Sequence, residues 1–230
     1  MTYEDLQNNL AITFSDPKFL RQAFVHRSYL NESHEYRESN ERLEFLGDAV
    51  LSCLTSHFLF VSYPDFPEGV LTNIRSTLVK TQSLAQTGLT IGLGELLMLS
   101  RGEESSGGRK NPSLIADCYE ALLGAIYLDQ GLEAARSFLE KTLFPKTETI
   151  VAQKQYVDFK SLLQEKVQEK TKISPTYKVT KSQGPDHDKT FWVDVISEET
   201  ILGSGSGKSK QEAEQDAAAN ALEKLGILTV

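Results

Sequence analysis

Five carboxylates occupy helical positions that ordinarily carry hydrocarbon. In Asn40-Glu-Arg-Leu-Glu-Phe-Leu-Gly-Asp-Ala-Val-Leu-Ser52, the acids Glu41, Glu44 and Asp48 are spaced i, i+3, i+7. On a 3.6-residue helix they share an arc of about 60°. Leu43, Phe45, Leu46, Ala49, Val50 and Leu51 around them are core material. The stretch from Ile115 to Leu128 repeats the anomaly, with Asp117 and Glu120 as its only charges, spaced i, i+3. Aligned like charges repel, and an unpaired buried carboxylate is costly, so such acids need a positive neighbour. For Glu44 and Asp48 that neighbour is either an arginine, such as Arg42 or Arg75, or a cation. For Asp117 and Glu120 no basic residue lies close in sequence past Lys110. Glu41 has a further reading, as an acid favouring the positive N-terminus of its helix. Two such helices packed face to face make a cage of four carboxylates, Glu44, Asp48, Asp117 and Glu120. Oxygen donors without His or Cys select Mg²⁺ or Mn²⁺. Di-iron bundles use Glu-x-x-His pairs, and none of the four histidines here has a glutamate three positions earlier, which excludes that chemistry.

The elements that must hold these acids are helical up to about residue 144. Asp16-Pro17 starts a helix with Pro17 at its first position. Polar residues 31–40 form a loop, and a long apolar helix runs from Glu41 to about Phe60. The prolines and glycine of Ser62-Tyr-Pro-Asp-Phe-Pro-Glu-Gly69 break it. Leu71 to Thr87 reads as one helix stopped at Gly88. Residues 101–113 read as a flexible loop, followed by a helix over Ser113 to Gln130 and another from Glu133 to Leu143. The expected boundaries are a helical domain over 1–148 and a second domain over 157–227, with the linker within 145–156. In the second, an amphipathic helix (Asp158 to Lys170) precedes three alternating stretches, Thr176–Lys181, Thr190–Ile196 and Thr200–Gly205, and an alanine-rich helix from Ser209 to Leu225. Helix, three strands and helix make a small α+β domain of αβββα order.

Bulk properties narrow the function classes. The net charge is −8, with 13 basic against 20 acidic residues up to position 150 and 11 against 12 beyond it. Acidity therefore concentrates where the carboxylates do. The first ten residues have no signal-peptide pattern, and the longest uncharged apolar stretch, Ala121 to Leu128, is too short for a bilayer, so no membrane association is expected. Cys53 and Cys118 read as reduced core thiols, fitting a cytoplasmic protein. His26, His34 and His57 show no metal spacing, and His57 reads as a core histidine.

Asn-Glu-Arg-Leu-Glu-Phe-Leu-Gly-Asp48 resembles the signature motif of ribonuclease III, and Ala116-Asp-Cys-Tyr-Glu-Ala-Leu-Leu-Gly124 is similar to that family's second acidic motif. The likeness extends to Val25-His-Arg-Ser28 and Pro67-Glu-Gly69. It implies an all-α nuclease domain followed by one double-stranded-RNA-binding domain. It also implies a Mg²⁺-dependent endoribonuclease, with Mn²⁺ able to substitute, that acts on duplex RNA such as rRNA and mRNA precursors. The products carry 5′-phosphate and 3′-hydroxyl ends. By the same resemblance Glu44, Asp48, Asp117 and Glu120 are the metal-binding acids, with Asp48 and Glu120 most tied to chemistry. Glu41 and Glu68 are accessory catalytic acids, and Phe45 plugs into the partner of a homodimer. The alternative is a catalytically silent duplex-RNA binder on the same fold.

In the second domain the resemblance assigns RNA contacts to Gln164 and Glu165 on the first helix, His187 in the strand-joining loop, and Lys208 and Lys210 at the final helix. Duplex RNA is read there by shape, 2′-hydroxyls and phosphates. Gln211 departs from the family, which commonly has a lysine at that position.

Overall fold

The computed structural model describes residues 1–33, 35–185 and 188–227. The chain divides into two compact units, Met1–Tyr156 and Val157–Val230.

The first unit is helical: α1 (Tyr3–Leu10), α2 (Pro17–Ala23), α3 (Glu41–Ser62), α4 (Glu68–Val79), α5 (Thr81–Thr90), α6 (Leu93–Leu96), α7 (Arg101–Ser105), α8 (Pro112–Thr142) and α9 (Lys146–Ala152). Local chemistry sets most starts. The Asp16 carboxylate accepts from Lys18 N–H ahead of Pro17, and Asn111 accepts from Ser113 N–H ahead of Pro112. Within α8, Gly131 at φ 80° breaks the helical path, so the two helices read on either side of it meet end to end. The core gathers Leu51 and Leu54 of α3, Ile74 and Leu78 of α4, Leu84 of α5, and Tyr119, Leu122, Ile126 and Phe138 of α8. The helix α3 has a mean hydropathy of 1.4 over an 18-residue window, enough by composition to cross a bilayer. Its apolar run is short because Asp48, Ser52, Thr55, Ser56 and His57 interrupt it. In this fold one face of the helix packs along α8.

Three expectations are corrected. Leu71 to Thr87 is two helices, because Lys80 is extended (φ −60°, ψ 149°) and turns the chain between α4 and α5. Gly88 lies inside α5 instead of ending it; a Cβ there would meet Ile115 Cγ2 of α8 at 2.6 Å, so glycine serves close packing. Residues 101–113 are built rather than loose. The Arg109 guanidinium donates to the carbonyls of Gly94, Glu95 and Leu97 at 2.9–3.0 Å and pairs with Glu104 at 2.6 Å. The polar stretch 145–156 begins with α9, whose Thr147 and Ile150 are buried, so the helical unit continues to Tyr156.

The second unit contains α10 (Phe159–Thr171), β1 (Thr176–Gln183), β2 (Thr190–Ser197), β3 (Thr200–Gly207) and α11 (Lys210–Lys224). The strands form one antiparallel sheet in the order β1-β2-β3. Register places Tyr177 opposite Val195 and Val195 opposite Gly203. Val193 and Val195 face Leu163 and Val167 of α10 and the alanines 213, 217, 218 and 221 of α11 in a single buried cluster. Small side chains on α11 let the helix lie close along β3.

Candidate metal centre and RNA-binding surface

The acids meet where α3 crosses α8, and glycine makes that crossing possible. A methyl group at Gly47 would overlap the main-chain carbonyl of Glu120, and one at Gly124 would overlap the carbonyl of Leu43. Backbone touches backbone there, so the side chains flanking the contact converge. Glu44, Asp117 and Glu120 each offer a carboxylate oxygen within 4.8 Å of the others, all partly buried. Among the described residues these three side chains have no hydrogen bond or salt bridge. The arginine alternatives are taken elsewhere: Arg42 reaches Glu38 at 4.0 Å, and Arg75 donates to Ser56 Oγ at 2.7 Å.

The remaining predicted acids sit differently. Asp48 is exposed at the edge of the cluster, close enough to raise Glu120. Glu41 is exposed and engaged, with Arg27 at 3.5 Å and the Ser39 hydroxyl donating at 2.8 Å. Glu68 is not brought to the cluster. It accepts from Thr72 Oγ1 at 3.0 Å and lines a groove with Ser56, Phe60 and Arg75. Ser56 stands about 12 Å along α3 from Asp48 at 1.5 Å per residue.

Electrostatics mark the cluster as a place for a cation. Burial, then Asp48, Glu44 and Asp117, push Glu120 up to about 8. Glu44 is raised by burial and by Asp117, Glu41 and Asp48. Burial raises Asp117, with His26 acting against it. A carboxyl whose pKa rises on folding binds its proton more tightly in the folded state, so its contribution to stability falls as pH climbs between the two values. The melting temperature in chelator should therefore fall from about pH 5 to about pH 8.5, and a divalent cation should reverse the fall by taking the proton's place. A melting temperature in chelator that stays flat over that window would count against strained acids.

The α3 face beyond the cluster corrects two further readings. Phe45 is 80% exposed and Phe60 72% exposed, and Cys53 lies exposed between them, whereas only Cys118 is a core thiol. His57 is also exposed, 3.2 Å from Arg136 Nη1. This stripe is uncovered within one copy of the chain.

In the second unit Gln164 and Glu165 are exposed on α10, with Glu165 paired to Lys166 at 3.1 Å. Lys210 is exposed in the first turn of α11, whose N-cap Ser209 accepts from Glu212 N–H. Lys208 is exposed too, but its ammonium already binds Asp188 at 2.6 Å. His187 lies outside the described residues.

Sequence reasoning passed over Gly47 and Gly124 as elements of the site, and treated Asn40 only as the start of a motif. The Asn40 side chain donates to Ala23 O at 3.3 Å and its N–H to Val25 O at 2.8 Å, tying the segment before Arg27 to the start of α3. A glycine beside the acids on each of two apolar helices was the available signal for the crossing.

Acids held together with no hydrogen bond or ion pair among the described residues, on a helical unit followed by an αβββα module, define a metal-dependent endoribonuclease. Residues 16–147 match the family described as Ribonuclease-III-like, and residues 159–225 match the Double-stranded RNA binding motif. A relative from Geobacillus kaustophilus, Ribonuclease 3, is 48% identical over 97% of this chain and 91% of its own length. The Ribonuclease 3 of Enterococcus faecalis is 44% identical over 96% of both chains. Among solved structures, the nuclease domain of ribonuclease III from Campylobacter jejuni aligns with a TM-score of 0.57 and 37% identity, over 63% of this chain and 99% of that one. The chain belongs to the ribonuclease III family, and its activity is endonucleolytic cleavage of double-stranded RNA.

Proposed function

We propose that this chain cleaves duplex RNA as a cytoplasmic homodimer that uses Mg²⁺, with Mn²⁺ able to substitute. The observation that carries the metal assignment is the convergence of Glu44, Asp117 and Glu120 with no lysine or arginine paired to them among the described residues, in a setting that raises all three acids. All-oxygen donors fit a hard divalent cation. When bound, the cation supplies Lewis-acid polarisation of the phosphate and acidifies water for attack. Glu44, Asp117 and Glu120 hold it, and Asp48 at the exposed edge holds and orients from the side on which substrate arrives. The crossing of α3 and α8 keeps these oxygens in place before RNA binds.

Glu41 and Glu68 serve assembly of the cleavage site. The Arg27 and Ser39 contacts of Glu41 fit a bracing role. Glu68, at the start of α4 and beside Ser56, is too far from Asp48 to join the acids of its own subunit, which suits a residue acting near the subunit boundary. The uncovered stripe of Phe45, Cys53 and Phe60 supports pairing with a second copy, Phe45 being the side chain that enters the partner. The nuclease domain of the Campylobacter jejuni relative is described as having a region involved in dimer formation, which agrees with this reading. Each subunit then cuts one strand, leaving 5′-phosphate and 3′-hydroxyl ends, on substrates of the rRNA and mRNA precursor class.

The test pairs two measurements. Cleavage of a perfect RNA duplex should need Mg²⁺ and stop in chelator, with end analysis giving 5′-phosphates. Light scattering should report twice the monomer mass. An active monomer at micromolar concentration sinks the dimer, and cleavage in chelator sinks the metal.

Gln164, Glu165, Lys208 and Lys210 contact the duplex in this reading, the lysines through phosphates. Lys208→Ala with Lys210→Ala should raise the RNA concentration needed for cleavage while leaving the rate at saturation close to normal, for every duplex sequence alike. Lys210 should carry most of the effect, since Lys208 must first leave Asp188. Unchanged affinity in the double variant across salt concentrations would assign the module to another ligand.

A further inference from the structure

Trp192 is the chain's only tryptophan, and it stands in β2, the middle strand of the sheet. Val193 and Val195 of the same strand turn inward to α10 and α11. Side chains alternate across a strand, so Trp192 and Asp194 point to the outer face. Register completes that face: Lys181 and Ser206 flank Trp192, while Lys178 and Ser204 flank Asp194. Both helices of the unit pack on the inner face, and these lysines and serines are exposed.

The charge around the ring is positive. Lys181 Nζ lies 4.9 Å from the centroid of the Trp192 ring. Whereas Lys160, Lys166 and Lys208 hold carboxylates, the Lys178 and Lys181 ammoniums have no ion pair or hydrogen bond among the described residues. Beside Trp192 stand two ammoniums against one carboxylate, on a chain of net charge −8. Glu198 and Glu199 lie in the turn at the far end of β2.

We propose that this outer sheet face is a second RNA surface, one that takes unpaired nucleotides: a base stacks on Trp192 while Lys178 and Lys181 take the neighbouring phosphates. A flat ring can stack only on a base whose own face is free, and duplex RNA keeps its bases stacked on one another. Base–aromatic stacking is stronger than an exposed cation–π contact, so the incoming base displaces the Lys181 ammonium toward the phosphate. Lysine and serine are depleted in the cores of protein interfaces, and their place around this ring disfavours a protein partner. The face is distinct from the duplex contacts assigned to α10 and the start of α11, and its role does not depend on the metal.

The emission of a single tryptophan reports on this face alone. With the full chain in chelator, a short single-stranded oligoadenylate should quench that emission, and a blunt RNA duplex should leave it nearly unchanged. Lys178→Ala with Lys181→Ala should weaken oligoadenylate binding and lower its log–log salt slope by about 1.4, the value for two phosphate contacts on a single strand. By anisotropy of a labelled oligoadenylate, Trp192→Ala should bind about tenfold more weakly, and Trp192→Phe, which keeps a ring, should recover most of the loss. Should Trp192→Ala fail to fold, the wild-type emission and the exposed lysine pair decide the matter. Emission untouched by oligoadenylate overturns the proposal, as does equal quenching by the blunt duplex or an unchanged salt slope in the double-lysine variant. Emission that shifts with protein concentration alone overturns it in favour of a second copy of the chain on this face.

Discussion

Glu120→Gln will remove RNA cleavage while leaving duplex binding near wild type. The substitution keeps the side chain's size and deletes the charge that burial and three neighbouring acids oppose most strongly. The expected loss in single-turnover rate is about a thousandfold or more, equivalent to about 4 kcal/mol in barrier height. Stability should move the other way. With chelator present at about pH 8.5, the variant should melt at a higher temperature than wild type, since the wild-type protein must there carry an ionised Glu120 without a cation. That opposite sign distinguishes loss of chemistry from loss of fold. Cleavage near the wild-type rate in Mg²⁺ would refute the assignment of Glu120.

The second large effect comes from a residue with no side chain. In an ordinary helix interior, Gly→Ala stabilises by up to about 1 kcal/mol. At Gly47 the sign should reverse, because the added methyl would occupy the space of the Glu120 carbonyl. Overpacking of this kind costs about 3 kcal/mol when backbone must move. The movement separates the two helices that carry the acids, and a displacement of about 1 Å at a catalytic site can cost about a hundredfold in rate. Gly47→Ala should therefore lower the melting temperature, weaken Mn²⁺ binding and reduce cleavage together. Gly124→Ala, on the opposite helix, should do the same. A Gly47→Ala protein as stable and active as wild type would show that the close crossing is dispensable.

Much of the site was legible because carboxylates at i, i+3 and i+7 in an apolar helix conflict with burial unless something resolves the conflict. That argument singled out Glu44, Asp117 and Glu120, periodicity and turn residues gave the helical domain and the αβββα order after it, and the resemblance to ribonuclease III added the reaction and the RNA contacts. Other features depended on contacts that no local pattern encodes. Lys80 is not a helix breaker, and the apolar rhythm continues across it, so the turn between α4 and α5 left no trace. The stretch 101–113 has the composition of a loop, yet one guanidinium holds it to carbonyls 12 to 15 residues away. Cys53 and His57 were read as buried because an apolar helix was assumed to be covered within its own chain. The α3 face they occupy is left open in the single copy.

Three lysines of the second unit have a kinetic consequence. Lys160 already holds Glu214, Lys166 holds Glu165 and Glu169, and Lys208 holds Asp188. At those three positions an approaching duplex therefore meets local dipoles where bare cations would otherwise project a long-range field. Capture through these groups is an exchange of ionic partners, made only once the surfaces touch. At those positions long-range attraction does little of the sorting. A duplex that fits the surface stays long enough to complete the exchange, and one that does not leaves at the end of the encounter.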